Sequence, residues 1–219
     1  MIDLYCERLG PGLWAEPLNA STNLAFALAA WRLARLAGWR GPGADRGVLA
    51  LAGLALALAI GSGLFHTVAT PWAMAADVLP ILLFQLLVLG LWLRRRLALA
   101  PLAAAVLCGL FLLASLAGRS FPGLLNGSLA YAPTLAVLAL LAGYDHRHGH
   151  GRALQWAAVV FALSLVLRSL DNALCPLWPA GTHLFWHLLN AEVLVLGGRA
   201  LLGAGDPALD NAASARRRP

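Results

Sequence analysis

The sequence has no lysine and little charge of either sign. Of its 219 residues, 12% are charged and 60% are hydrophobic, with a mean hydropathy of +0.74, against roughly 25% charged residues in an ordinary soluble domain. Too few polar side chains are present to cover a water-facing surface, which excludes a soluble globular protein. Three cysteines, none in a CxxC spacing, exclude a disulfide scaffold and leave at most one bridge and a spare thiol. The opening stretch MIDLYCERLGPGLWAEP has neither a basic n-region nor an apolar core, so no cleavable signal peptide is expected. No repeat stands out, and no connection is long enough to hold a second domain.

What is present is a series of apolar stretches of about 20 residues, long enough to cross a hydrocarbon core of about 30 Å. Hydropathy and breaker residues place spans at 20–38, 47–68, 73–93, 97–118, 122–143, 153–172 and 180–203. The expected fold is therefore all-α, a polytopic membrane protein with a seven-transmembrane helix bundle as its single domain over 1–219. It carries an extracytoplasmic N-terminal segment at 1–19 and a polar cytoplasmic tail at 204–219.

The sixteen arginines fall unevenly about these spans. Thirteen lie at one face (Arg32, Arg35, Arg40, Arg46, Arg94–Arg96, Arg147, Arg152, Arg199 and Arg216–Arg218), and three, Arg8, Arg119 and Arg168, at the other. By the positive-inside rule the C-terminus is cytoplasmic and the N-terminus outside. The net charge of +6 is thus a topology signal, and no nucleic-acid partner is expected.

Charged or titratable groups inside a bilayer cost free energy, roughly 2.5–3.5 kcal/mol for Asp, Lys or Arg near a helix centre, so each needs a reason. Ser62 and His66, in GSGLFHT, lie four apart and share a helix face. Asp77 follows across a short turn, and His183 and His187 in THLFWHLLN are again four apart. All five sit at similar depth toward the outer side. Two histidines at i and i+4 with a third from a neighbouring helix make three ligands with a fourth position open, the ligand count of a catalytic zinc site. His146, His148 and His150 lie instead in the charged loop YDHRHGHGR and read as a solvated segment.

These motifs resemble the alkaline ceramidase family, in particular its bacterial branch. These are seven-span zinc amidases within a superfamily that also includes adiponectin-type receptors and membrane lipid-remodelling hydrolases. The resemblance is carried by CERLGPGLWAEPLNASTN at 6–23, GSGLFHTVATPWAMAADVLP at 61–80 and RSLDNALCPLWPAGTHLFWHLLN at 168–190. It implies that His66, His183 and His187 bind zinc, that Asp77 handles the proton and that Ser62 supports the attacking water or the substrate oxygen. A second reading makes Asp77 a partner that orients a zinc histidine, and Ser62 a helix-backbone hydrogen bonder.

The resemblance further implies a disulfide between Cys6 and Cys175, tying the N-terminal segment to the turn before the last span. Eukaryotic members bind calcium in that segment, which here offers Asp3, Glu7 and Glu16 as oxygen ligands. This loop is shorter, Leu9 replaces a polar ligand and Asp3 is displaced by one residue, so solvated or helix-start carboxylates are the other reading. Asn19 and Asn23 read as interhelical hydrogen-bonding groups. Arg168 and Asp171 read as an ion pair, with head-group contact as the alternative; Glu192 is either protonated or paired across helices.

The function the resemblance implies is zinc-dependent hydrolysis of the N-acyl bond of ceramide-like membrane lipids. The alternatives are a zinc-dependent ester hydrolase and a non-enzymatic receptor or accessory protein with structural zinc. Richness in Ala, Leu, Arg and Gly without lysine suggests a GC-rich bacterial genome. The expected location is then the bacterial inner membrane, with the site near the periplasmic face.

Overall fold

A computed structural model describes residues 1–202; the expected tail at 204–219, with Arg216–Arg218, lies outside the described residues. The described chain is helical throughout, with no strand. α1 (Pro17–Thr22) and α2 (Leu24–Leu36) are followed by α3 (Arg46–Val68), α4 (Pro71–Arg96) and α5 (Pro101–Arg119). A 3-10 segment (Leu124–Tyr131) leads into α6 (Ala132–Arg147), and α7 (Ala153–Leu174) and α8 (His183–Leu202) complete the bundle. Five stretches are long and apolar enough to cross a membrane: α3, α4, α5, the 3-10 segment with α6, and α7. They coincide with the second to sixth expected spans and mark an integral membrane protein.

The first expected span is broken at Asn23. The Asn23 side chain donates to the Asn19 carbonyl at 2.7 Å, a local bond that competes with the helix ladder. Asn19 and Asn23 therefore bond within the N-terminal segment and its helix, where interhelical partners had been expected.

α3 begins with Asp45, which caps it by accepting from the Val48 amide at 3.0 Å and pairs with Arg95 of α4 at 2.7 and 2.9 Å. That hydrogen bonding, led by Arg95, holds the Asp45 carboxyl below its usual range against the opposing effect of partial burial. At its other end α3 closes on Ala69 in a left-handed conformation, and Pro71 starts α4. The two-residue connection folds α4 back along α3. Gly61 lets the two backbones touch: a Cβ there would lie 2.0 Å from the Ala76 oxygen. The close approach brings Ser62 beside Asp77.

α8 packs between α7 and α2, and α1 lies over α3 and α8. The main core, with Phe26, Leu33, Leu51, Trp92, Leu154 and Phe161 almost wholly enclosed, fills the middle of the bundle. The 3-10 segment departs from helical geometry at Leu125, Asn126 and Gly127, all at positive φ. Asn and Gly tolerate this conformation, and the turn faces α7.

Candidate metal centre

His66 from α3 and His183 and His187 from α8 converge, with one ligand atom from each lying within 4.8 Å of the others, and all three are buried. Among the described residues this group could hold a metal ion. The surroundings say which nitrogens are available. His66 Nδ1 lies 2.5 Å from Glu16 Oε2. A carboxylate can only accept, so the Nδ1 of His66 carries the proton and its Nε2 presents a lone pair. His187 Nδ1 lies 2.8 Å from the Thr22 hydroxyl oxygen, whose own proton points to the Leu18 carbonyl at 2.8 Å. The Thr22 oxygen therefore accepts, and His187 also presents a bare Nε2.

Those two Nε2 atoms stand 3.1 Å apart. Two lone pairs facing each other repel unless a cation lies between them. Zinc–nitrogen bonds of about 2.0–2.1 Å at tetrahedral angles put neighbouring nitrogens about 3.3 Å apart, so the spacing fits a shared metal. His183 has no such tether: its Nδ1 is buried with no hydrogen-bond partner among the described residues, and its ring stacks on Tyr5 at 3.5 Å between centroids.

The supporting groups come largely from the N-terminal segment. Glu16 also accepts from Arg8 Nε at 2.5 Å and from Asn19 at 3.0 Å, and Arg8 donates onward to the His66 carbonyl at 2.9 Å. Burial alone would raise the Glu16 carboxyl, but the hydrogen bonds and the nearby histidine outweigh it and hold it below its ordinary value. Glu7 accepts from the Leu18 and Asn19 amides at 2.7 and 2.8 Å, capping α1. Asp3 is exposed. The three carboxylates considered as calcium ligands are therefore not brought together: Glu16 turns to the histidines and Glu7 to a helix start.

Asp171 and Arg168 do not pair with each other. Asp171 accepts from the Cys6 amide at 2.9 Å and from the Thr182 and His183 amides at 2.6 and 2.8 Å, so it caps α8 at the first histidine. Its carboxylate is saturated by backbone donors, which leaves the Arg168 guanidinium to the Asn126 carbonyl and the Ser128 hydroxyl at 2.7 and 2.8 Å. Beside Asp171, Cys6 and Cys175 form a disulfide, with Cys108 free. Gly181, at φ +67°, makes room there, since a Cβ would fall 2.4 Å from the Asp171 oxygen. Glu192 is paired across helices, with Arg32 at 2.6 Å. His146 and His148 are exposed, His150 is part-buried, and His148 stacks on Tyr144.

Asp77 and Ser62 line the same cavity as His183 and His187. The cavity holds about 280 Å³. A second, apolar crevice of about 70 Å³ shares Phe26, Leu58, Ile81 and Trp186 with it and continues along Phe84, Val88 and Leu138. The arrangement can hold a metal with neutral donors, move a proton at Asp77 and admit an apolar chain.

Five supporting residues, Tyr5, Arg8, Glu16, Thr22 and Asp171, were not assigned these roles from sequence. The one signal for Glu16 is general: metal-binding histidines hand their second nitrogen to an acceptor, and a carboxylate before a helix-starting proline is a fair candidate. Comparison with family models, with curated proteins and with solved structures finds no match to this chain.

Proposed function

We propose that the protein is a zinc-dependent lipid amidase of the membrane, cleaving the N-acyl bond of ceramide-like lipids to a fatty acid and a sphingoid base. The observation that carries this reading is continuity. A cavity lined by two of the three histidines, His183 and His187, and by the Asp77 carboxylate shares its wall with a crevice lined largely by aliphatic and aromatic side chains, as an amide bearing a long acyl chain requires.

A zinc ion would supply a Lewis acid for the amide carbonyl and a nucleophile at neutral pH. The histidines would give it three neutral donors, of which His66 and His187 are held in their tautomers by Glu16 and Thr22. Asp77 takes the proton of the attacking water and returns it to the leaving amine, since an amine anion is too poor a leaving group to depart unprotonated. Ser62 holds Asp77 in orientation. Phe26, Leu58 and Trp186 seat the acyl chain and keep bulk water away.

In this reading α1 with α2 and α8 complete a seven-span bundle. The N-terminus and the site lie on the periplasmic side of a bacterial inner membrane, and the arginine-rich ends lie in the cytoplasm. An ester hydrolase would use the same groups. A receptor with structural zinc would call for a closed four-ligand site, and the described group has three.

The test is to incubate purified protein with mixed lipid amides and esters, with and without a chelator, and to follow products by mass spectrometry. Chelator-sensitive release of fatty acid from amides is expected. Release from esters alone would reassign the substrate, and no release from either would leave the receptor reading. A reporter fused to the C-terminus should be active only on the cytoplasmic side, and activity on the opposite side would reverse the orientation.

A further inference from the structure

Arg168 carries a charge that its neighbours do not balance. It lies toward the end of α7 and is only 8% exposed. The two acceptors bound by its Nη1, the Asn126 carbonyl and the Ser128 hydroxyl, are neutral. They account for where the guanidinium sits and not for its charge. Asp171, one turn along the helix, is committed to three backbone amides. No ion pair joins Arg168 to a carboxylate among the described residues. The rings of Tyr5, Tyr131 and Trp186 lie 5.9, 5.3 and 5.4 Å from its Cζ, a cation–π surround that eases burial without neutralising it.

The guanidinium faces the cavity already described, and Arg119 at the end of α5 lines the same cavity without an ion pair among the described residues. Two arginines therefore stand against one carboxylate, Asp77, in the wall of this cavity. The excess is close to the chemistry. Tyr5 is stacked on His183 and also lies against Arg168, so the unpaired charge is one aromatic ring away from the histidines. A neutral sphingoid head would leave the two arginines, Arg168 of them buried, with Asp77 as the one carboxylate of the cavity, whereas an anion would form charge-assisted hydrogen bonds with their planar forks.

We infer that the site selects N-acyl lipids whose amine half bears an anionic group (carboxylate, phosphate or sulfonate) a few atoms from the amide, bound by Arg168 and Arg119. The inference rests on the amidase reading for the N-acyl bond and the position of the acyl chain, and goes beyond it in giving the amine half an anionic group. It is tested by binding, so that the two can fail separately.

The probes are N-dodecanoylglycine and its neutral isostere N-dodecanoylglycinamide, titrated into detergent-purified Asp77→Asn protein by calorimetry. The carboxylate is expected to bind at least about tenfold more tightly. On the same background Arg168→Gln should bring the ratio near one, and Arg119→Gln should reduce it several-fold. Arg119 is exposed, so if Arg168→Gln fails to fold, the Arg119→Gln ratio decides. Equal binding of the two probes overturns the inference, and so does a preference that survives the arginine substitutions, as direct chelation of a metal would give. A third arm uses dodecanoate. If it binds as tightly as the glycine conjugate and loses as much on Arg119→Gln, the arginines hold the fatty-acid product, and the head-group assignment is overturned. Chelator-sensitive turnover of the same probes by the unsubstituted protein reports separately on the amidase reading.

Discussion

Glu16 Oε2 accepts a hydrogen bond from His66 Nδ1 at 2.5 Å, across fifty residues of chain. The contact fixes both the tautomer and the plane of the first histidine, and Arg8 braces it from the other side.

Glu16→Gln keeps the shape but turns a charged acceptor into a neutral one. Metal affinity should fall by about 10- to 100-fold, as losses of such partners generally do, with the protein still folded. The carboxyl's depressed pKa sets the sign of a pH effect. Its contribution is complete above the ordinary carboxylate range and is lost as pH falls through the depressed folded value. Competitive zinc titrations at several pH values check both, and unchanged affinity in Glu16→Gln would make the contact incidental.

The three histidines and Asp77 should separate metal binding from chemistry. His66→Ala, His183→Ala or His187→Ala removes one of three donors, so bound metal and turnover should vanish together. Asp77→Asn should keep its metal while its rate drops by about 10²–10⁴. Ser62→Ala should cost about ten- to a hundredfold, one orienting hydrogen bond. Metal content and rate are to be measured on the same preparations. Full activity in metal-free His183→Ala would falsify the mechanism.

Gly61 predicts a packing effect that reaches the site. A Cβ at this position would stand 2.0 Å from the Ala76 oxygen and 2.5 Å from its carbonyl carbon. Backbone cannot swing aside as a side chain can, so Gly61→Ala should force α3 and α4 apart at a cost of about 1–3 kcal/mol. It should also draw Ser62 away from Asp77. Thermal unfolding and the rate should both fall, and a neutral effect on both would mean that the helices slide freely.

The Cys6–Cys175 bridge, with Cα atoms 5.4 Å apart, closes a loop of 169 residues in separation. Cys6→Ser should lower stability by about 2–5 kcal/mol, a model-dependent figure. Thiol counting in denaturant should find one reactive thiol without reductant, that of Cys108, and three with it. Three in both conditions would show that no bridge exists.

Much of this was legible because helical periodicity and membrane cost act locally. The i, i+4 spacing of His183 and His187 placed both on one face, and the short TPW turn brought Asp77 back to Ser62. The supporting residues were harder to read, since their partners are set by tertiary folding. Asp171 looked like an ion-pair partner because Arg168 is one turn away, yet three backbone amides brought in by other segments saturate it first. The break at Asn23 was hidden for a related reason: hydropathy averages over a window and cannot see one side chain competing with the helix ladder. The left-handed turn at Asn126 and Gly127 carried a compositional hint, but only its contact with α7 gives it a purpose.

One donor of the histidine set lies in α3 and the other two in α8, with most of the bundle threaded between them. During synthesis the ribosome must deliver five further helical segments after His66 before a second member of the set exists. The nascent chain meanwhile holds a single imidazole of that set, and one donor alone binds metal weakly. Any metal held by the three would thereby be captured only at the end of insertion, after Cys175 has been made and can be oxidised with Cys6. Maturation of the centre then doubles as a checkpoint on a completely assembled bundle.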